Sequence, residues 1–261
     1  MKKFSLLIPT LGERTEYLNQ LTLSLKGLEE IIQIIIICNV RDAKKISKLV
    51  NQNIRDYRVV IDPGKGLAHA LNYGLGGVQT EFWTWIGDDD LLDTAKYSRF
   101  LNFISTQTEN ISLNTSIYHA GCSYISESGK VLARNYPKKF AKSLIFVGPN
   151  LFPQPSLMFR TDLSRNVGGL NENLKFAFDQ ELIMEMLLRG KVLSYPEIVT
   201  YYRWHKETLT ARNRVNSIEE SYQIRLRYCQ TFFSRITNKL LFLPSLVIVK
   251  VSSLFFNLRA K

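Results

Sequence analysis

The sequence is poor in cysteine and contains no internal repeat or low-complexity segment. Its three cysteines, Cys38, Cys122 and Cys229, lie far apart and form no C-x-x-C pair, which excludes a disulfide framework and a cysteine-based zinc cluster. The chain has 261 residues, 45% of them hydrophobic and 22% charged, and this composition excludes a disordered chain, a collagen and a coiled coil. We therefore expect a globular protein in a reducing compartment.

The N-terminus lacks the pattern of a secretion signal. Lys2 and Lys3 precede an apolar run of only six residues at 4–9, which is shorter than the apolar region of a signal peptide. The sequence therefore predicts a cytoplasmic protein.

Positive charge is concentrated at the C-terminal end. The net charge is +11, and residues 200–261 hold eleven Lys and Arg residues against three acidic ones. This predicts an anionic partner, and the apolar stretch at 240–258 favours a lipid surface over nucleic acid. We expect 240–258 to form a helix in the interface of the inner face of the membrane, flanked by Arg235, Lys239, Arg259 and Lys261. A helix packed on the core, or a homodimer contact, is the alternative.

Hydrophobic periodicity divides the rest of the chain into two parts. Four apolar runs at 4–8, 31–38, 57–61 and 82–86 alternate with helical patterns, which predicts right-handed crossovers and a parallel sheet. Beyond Leu92 the alternation stops. Here the patterns predict helices at 96–105 and 179–189 and strands at 116–126, 156–160 and 192–202.

Three consecutive aspartates, Asp88, Asp89 and Asp90, follow the fourth predicted strand directly. Ligands of open parallel sheets bind at the carboxyl ends of the strands. Alternation would point Asp88 and Asp90 toward one ligand and Asp89 away, and hard oxygen ligands suit Mg²⁺ or Mn²⁺ carrying a diphosphate. The alternative is a solvated acidic turn or a helix cap.

Six motifs occur in order over residues 4–210. They are Ile8-Pro9-Thr10, GLAHALNYG at 66–74, the aspartate triplet, GGLNE at 168–172, FDQE at 178–181 and YRWH at 202–205. Together they resemble glycosyltransferase family 2, the inverting enzymes of the GT-A fold. The resemblance implies an α/β GT-A fold, with a Rossmann-like, mostly parallel central sheet flanked by helices, and here a helical C-terminal tail. It also implies a nucleotide-sugar donor and a divalent metal.

Periodicity, charge and the extent of the family match together predict three regions. Residues 1–95 would be the nucleotide-sugar-binding half, residues 96–210 the acceptor-side half of the same domain, and residues 211–261 the basic, apolar helical tail.

The family motifs also imply roles for individual residues. Asp88 and Asp90 take the D-x-D positions, with Asp90 as the direct metal ligand and Asp88 nearer the ribose or a metal-bound water, while Asp89 lies beside the donor. His205 would approach the metal or the diphosphate. Asp179 takes the position of the catalytic base, which needs a carboxylate across the sugar from the leaving group. Glu181 is a competing base, and a helix cap is the structural alternative for Asp179.

Other residues are candidates for contacts with the donor: Pro9, Thr10, Glu13, Asn39, Asp62, Lys65, Asp88 and Asp89. The chain departs from the family at Asn39, because the family usually carries an acidic residue after the second strand. Asn39 could still offer an amide to a pyrimidine edge. The resemblance therefore favours UDP as the nucleotide of the donor only because UDP is usual in the family, and dTDP and GDP are the alternatives.

The sequence thus predicts transfer of a sugar to a hydroxyl acceptor, a lipid-linked sugar or polysaccharide precursor of cell-surface glycans. Two other classes stay open. A metal-dependent nucleotidyltransferase would need a basic, glycine-rich loop after the first strand, where this chain has the faint version TLGER at 10–14. A noncatalytic nucleotide-binding scaffold at the membrane would bind without turnover. His69 and His119 are predicted to be structural.

Overall fold

A computed structural model describes residues 2–110, 114–205, 213–229 and 231–242, together with Pro244 and Val247. The described chain forms one mixed sheet of nine strands with helices on both faces. The predicted α/β fold is therefore confirmed in its class.

The first half of the chain is the predicted parallel unit. Its strands are β1 (Phe4–Pro9), β2 (Ile32–Cys38), β3 (Tyr57–Ile61) and β4 (Phe82–Trp85), and its helices are α1 (Thr15–Ser24), α2 (Ala43–Val50) and α3 (Leu67–Gly76). The strands pair in the order β3-β2-β1-β4, all parallel. The nearly continuous isoleucines of β2 are buried on both faces, as a central parallel strand requires.

The second half of the chain extends this sheet with mixed pairing. Its strands are β5 (Leu91–Leu92), β6 (Thr115–Ile125), β7 (Val131–Asn135), β8 (Leu157–Arg160) and β9 (Lys191–Arg203). Its helices are α4 (Thr94–Asn110), α5 (Ala141–Leu144), α6 (Thr161–Asn166), α7 (Phe178–Arg189) and α8 (Arg214–Tyr228). The full order is β3-β2-β1-β4-β8-β6-β9-β5, with β7 paired to β6.

The antiparallel part of the sheet departs from the sequence prediction. Strand β8 is antiparallel to both β4 and β6, and β5 is antiparallel to β9. Neither β5 nor β7 was predicted. Leu91 and Leu92 are too few to show a strand period, and only their pairing with Tyr201 and Thr200 makes them a strand.

The sheet is covered by an apolar layer on each face. Alternate residues of β1 divide between the layers, with Leu6 and Ile8 in one and Leu7 in the other. Trp83 and Trp85 lie in the second layer with α3 and α7, and the indole N–H of Trp83 donates to Ser164 Oγ at 2.8 Å. The core therefore continues from the parallel half into the mixed half.

Helix α8 packs on α7, and a further helix at 232–242 packs on α8. Ile224 of α8 is fully buried in the second apolar layer. Helix 232–242 is fixed by Asn238, whose Nδ2 donates to the Phe146 carbonyl at 3.1 Å and whose Oδ1 accepts from Arg225 at 2.8 Å. Most of the predicted interfacial segment at 240–258 lies outside the described residues. Among the helices that are described, none is long and apolar enough to span a membrane.

Candidate active site

The carboxyl ends of the parallel strands form one edge of the sheet. Thr10 follows β1, and its amide donates to the Ile37 carbonyl of β2 at 2.8 Å. Its hydroxyl donates to Asp88 Oδ2 at 2.6 Å, across from the end of β4. The structure therefore brings Thr10, which follows Pro9 at the end of β1, against the aspartate triplet.

The three aspartates lie in a turn and not in an extended strand. The amide of Asp90 donates to the Gly87 carbonyl at 3.2 Å, which closes a β-turn over residues 87–90. Asp88 and Asp89 both pair with the guanidinium of Arg14, through Nη2 at 2.9 Å and through Nη1, respectively. Asp89 therefore does not point away from Asp88, as the predicted alternation required, because a turn does not have the two-residue period of a strand.

Asp90 faces β9, the strand that leads to the YRWH motif. Its Oδ1 accepts the amide of Arg203 at 2.8 Å, and Arg203 Nε donates to the Asp89 carbonyl at 2.8 Å. The Arg203 guanidinium also lies 4.5 Å from the ring centroid of Tyr17 and donates to Gln20 Oε1 at 2.8 Å. Arg203 therefore ties the aspartate turn to α1.

His205 is buried next to the same turn. Its Nε2 lies 2.8 Å from Asp89 Oδ2 and 3.3 Å from Nη1 of Arg14. Within the described part of the chain, no three His, Cys, Asp or Glu side chains form a group that could hold a metal ion. The predicted set of Asp88, Asp90 and His205 is therefore not assembled, because His205 meets Asp89 instead.

The donor set at the turn nevertheless suits a metal that arrives with a diphosphate. Asp88 and Asp90 are 3% and 2% exposed, and burial raises the pKa of both carboxyls, that of Asp90 well above its usual range. Mg²⁺ in proteins is commonly held by one or two carboxylates plus substrate phosphates, so a closed cage of three ligands is not required. Hard oxygen donors whose charge is incompletely compensated fit such an ion.

The residues predicted to contact the nucleotide include two at the ends of β2 and β3, Asn39 and Asp62. Asn39 Oδ1 accepts the amide of Asp42 at 3.0 Å, so its amide nitrogen is the part that can turn toward a base. The amide of Asp62 donates to the Cys38 carbonyl at 2.8 Å, which places Asp62 beside the end of β2.

Two further candidates are exposed on loops. Lys65 lies in the turn before α3, and Glu13 lies in the loop before α1. Their roles stay predictions.

Asp179 is the second residue of α7 and is partly buried. Burial raises the pKa of Asp179 to about 6, against hydrogen bonds from the backbone amides of Asp179 and Gln180. The N-cap of α7 is Ala177, so the interpretation of Asp179 as a helix cap was wrong. Its rival Glu181 is paired with Arg227 Nη2 of α8 at 2.8 Å.

Two arginines were not predicted as site residues. Arg14 was noted only as part of the TLGER loop, and Arg203 only as part of a motif. The signal for Arg14 was a cation close behind Thr10. For Arg203 no local signal exists, since its partner Asp89 lies 114 residues away.

His119 is a packing residue in the structure. It is buried against Phe152, with ring centroids 4.9 Å apart, and burial lowers the pKa of His119 to about 4. A neutral imidazole in an apolar layer agrees with the structural role predicted for it.

The sequence matches a known family over residues 5–165, described as Glycosyl transferase family 2. This chain belongs to glycosyl transferase family 2. It is 24% identical over 161 residues to an uncharacterised glycosyltransferase of Rickettsia typhi, covering 59% of this chain and 49% of that protein. The chain therefore spans about half the length of this curated relative.

Solved structures of glycosyltransferases share the fold. S. aureus TarS 1–349 in complex with UDP-GlcNAc superposes with a TM-score of 0.64 at 15% identity, over 94% of this chain and 72% of TarS. The mannosyltransferase PcManGT from Pyrobaculum calidifontis, in complex with GDP-Man and Mn²⁺, gives 0.63 at 13% identity, over 89% and 66%. The predicted GT-A type of fold is thereby confirmed.

Proposed function

We propose that this chain is an inverting, metal-dependent glycosyltransferase that moves a sugar from a nucleotide donor to a hydroxyl acceptor. The observation that carries the proposal is the buried aspartate turn of Asp88, Asp89 and Asp90 at the carboxyl edge of the sheet, in a chain of this family. A nucleotidyltransferase is less well supported, because the loop after β1 has Gly12 as its one glycine.

The residues of the site divide the chemistry between two sides of the sugar. Asp90 and Asp88 would hold a divalent cation, which would neutralise the departing nucleoside diphosphate when bound. Arg14 adds positive charge on the same side. Asp179 accepts the proton of the acceptor hydroxyl as its oxygen bonds to the anomeric carbon and the bond to the diphosphate breaks. Attack opposite the leaving group inverts the anomeric centre.

The donor is expected to carry UDP, with GDP and dTDP as the alternatives. UDP-GlcNAc is bound by the TarS neighbour, whereas the Pyrobaculum enzyme binds GDP-Man with Mn²⁺. Asn39 at the end of β2 replaces the acid usual in the family. We therefore propose that Asn39 and Asp62 contact the nucleoside, with Asp62 beside the end of β2.

The C-terminal helix supports a contact with an anionic membrane. In helix 232–242, Phe232, Phe233 and Leu240 are 81%, 78% and 69% exposed. Viewed down the helix axis, these residues lie about 120–160° from buried Asn238, so they project away from the domain. Arg235 and Lys239 on the same helix add basic charge. We propose peripheral attachment at the inner face, which would bring a lipid-linked acceptor to the site.

The central test replaces Asp90. Asp90→Ala should abolish sugar transfer and metal-dependent binding of the nucleotide sugar, because a buried carboxylate that can hold the cation is removed. Transfer and calorimetric binding are measured with UDP-, GDP- and dTDP-sugars, with Mn²⁺ or Mg²⁺ and with excess chelator. Asp56→Ala, at an exposed carboxylate paired with Lys2, is the control. Full activity of the parent in chelator would contradict metal dependence, and turnover of nucleoside triphosphates would favour the nucleotidyltransferase.

A further inference from the structure

Glu220 of α8 holds the segment that leads into α7. Its Oε1 accepts the amide of Lys175 at 2.9 Å, and its Oε2 accepts the amides of Phe176 and Ala177, each at 2.7 Å. These three amides are consecutive and end at Ala177, the N-cap of α7. Of these three amides, that of Ala177 belongs to the N-cap of α7, one of the positions that a helix start leaves without a backbone partner. The amides of Lys175 and Phe176 lie in the segment before the helix.

The rest of α8 continues this contact along α7. Ser221 Oγ donates to Gln180 Oε1 at 2.5 Å, Arg227 pairs with Glu181, and the hydroxyl of Tyr228 donates to Glu185. These partners run from the first turn of α7 toward its end. Helix α8 is therefore aligned with α7 by polar contacts, with Ile224 buried among them.

We propose that Glu220 is a positioning residue for Asp179, acting by fixing the backbone at 175–177 so that the Asp179 carboxylate is held at the acceptor side. This inference rests on the proposed role of Asp179 as the base. Glu220 belongs to a helix outside the matched family region at 5–165. It does not touch the reacting groups and acts through the start of α7.

The charges around this helix start support the assignment. On α7 itself, Glu181 is paired with Arg227, and Glu185 is paired with Arg189 and bonded to Tyr228. The charge of Glu220 adds to burial in raising the pKa of Asp179. Replacing Glu220 should thus change both where Asp179 lies and the pH at which it titrates.

The test compares Glu220→Gln with Glu219→Gln in the full chain. Both remove one negative charge from α8, but Glu219 is exposed. In Glu220→Gln the amide NH₂ faces donors, so at least one of the three hydrogen bonds is lost. We expect kcat to fall about tenfold with the donor KM unchanged, and the acid limb of the pH profile to move to lower pH.

Hydrogen exchange supplies a readout besides activity. The amides of 175–177 should exchange faster in Glu220→Gln and at the parental rate in Glu219→Gln. If the parent transfers sugar and the two variants have the same kcat and pH profile, the inference is overturned while the proposed function stands. If the parent transfers no sugar, the proposed function fails, and the exchange rates alone then report whether Glu220 fixes this segment. If kcat falls equally in the two variants and the pH profile does not move, the inference is overturned and Glu220 has only a structural role.

Discussion

At the scale of single residues, the acidic groups of the site have different surroundings. Asp88 and Asp89 are paired with Arg14, and Asp90 accepts the Arg203 amide. For Asp179, burial raises the pKa to about 6. A general base works best when its pKa lies near the pH of the reaction, so Asp179 is better suited to this task than an acid held in an ion pair.

Asp179→Asn should keep donor affinity and lose transfer, because the amide preserves shape but cannot accept the acceptor proton. We expect a loss of at least about 10²-fold in kcat, measured beside the donor Kd. In the parent, transfer should fall as the pH drops through about 6, where the Asp179 carboxyl becomes protonated. Glu181→Gln should leave this pH limb in place. Parental transfer by Asp179→Asn with loss in Glu181→Gln would assign the base to Glu181.

The same substitution has a consequence for stability. Because the folded state raises the pKa of Asp179, the native protein loses stability as the pH rises from about 4 to about 6. The substitution Asp179→Asn removes this loss, because its amide stays neutral at every pH in this range. The variant should melt higher than the parent at pH 7 and equally at pH 4.

At the scale of elements, α3 approaches the sheet through a glycine. A Cβ on Gly74 would lie 2.5 Å from Ile37 Cδ1 and 2.8 Å from Leu7 Cδ2, closer than packed atoms allow. Two residues before Gly74, Asn72 donates to the Leu170 carbonyl and accepts the Leu170 amide, both at 2.8 Å. Within the GLAHALNYG motif, Gly74 therefore sets the distance between α3 and the sheet, and Asn72 holds the GGLNE loop against α3.

Gly74→Ala should destabilise the protein by about 1–3 kcal/mol, because the added methyl overpacks a closed interface. Gly76→Ala is the matched control, since a Cβ there meets nothing within 4 Å and alanine favours the helix. Urea unfolding of both variants measures the difference. Equal stability would show that α3 can shift away from β1 and β2 at little cost.

At the scale of the whole molecule, the C-terminal helices connect the domain that carries the sheet with an exposed apolar face. Helix α8 contacts α7, and Asn238 fixes helix 232–242 against Phe146. The face of helix 232–242 away from Asn238 carries exposed Phe232 and Phe233. A membrane contact on this face would therefore be mechanically connected to the helix of Asp179.

The double substitution Phe232→Ser and Phe233→Ser should weaken sedimentation with anionic liposomes while leaving donor binding unchanged. The substitution removes two aromatic rings that would otherwise insert into the bilayer interface. Binding should also fall with salt, because exposed charges are screened over about 8 Å at physiological ionic strength. Leu23→Ser, which removes an apolar side chain 56% exposed on α1, is the control. Undiminished liposome binding of the double variant would place the contact elsewhere.

The sequence alone determined the parallel half of the sheet, the place of the aspartate triplet after β4 and the helix that carries Asp179. These features follow from local periods and from strand ends, which neighbouring residues specify. The tertiary structure decided the rest. Arg14 and His205 meet Asp89 across 75 and 116 residues, and Glu220 reaches Ala177 across 43. Such pairs depend on how strands and helices pack, because no local pattern records which distant side chain a fold brings near.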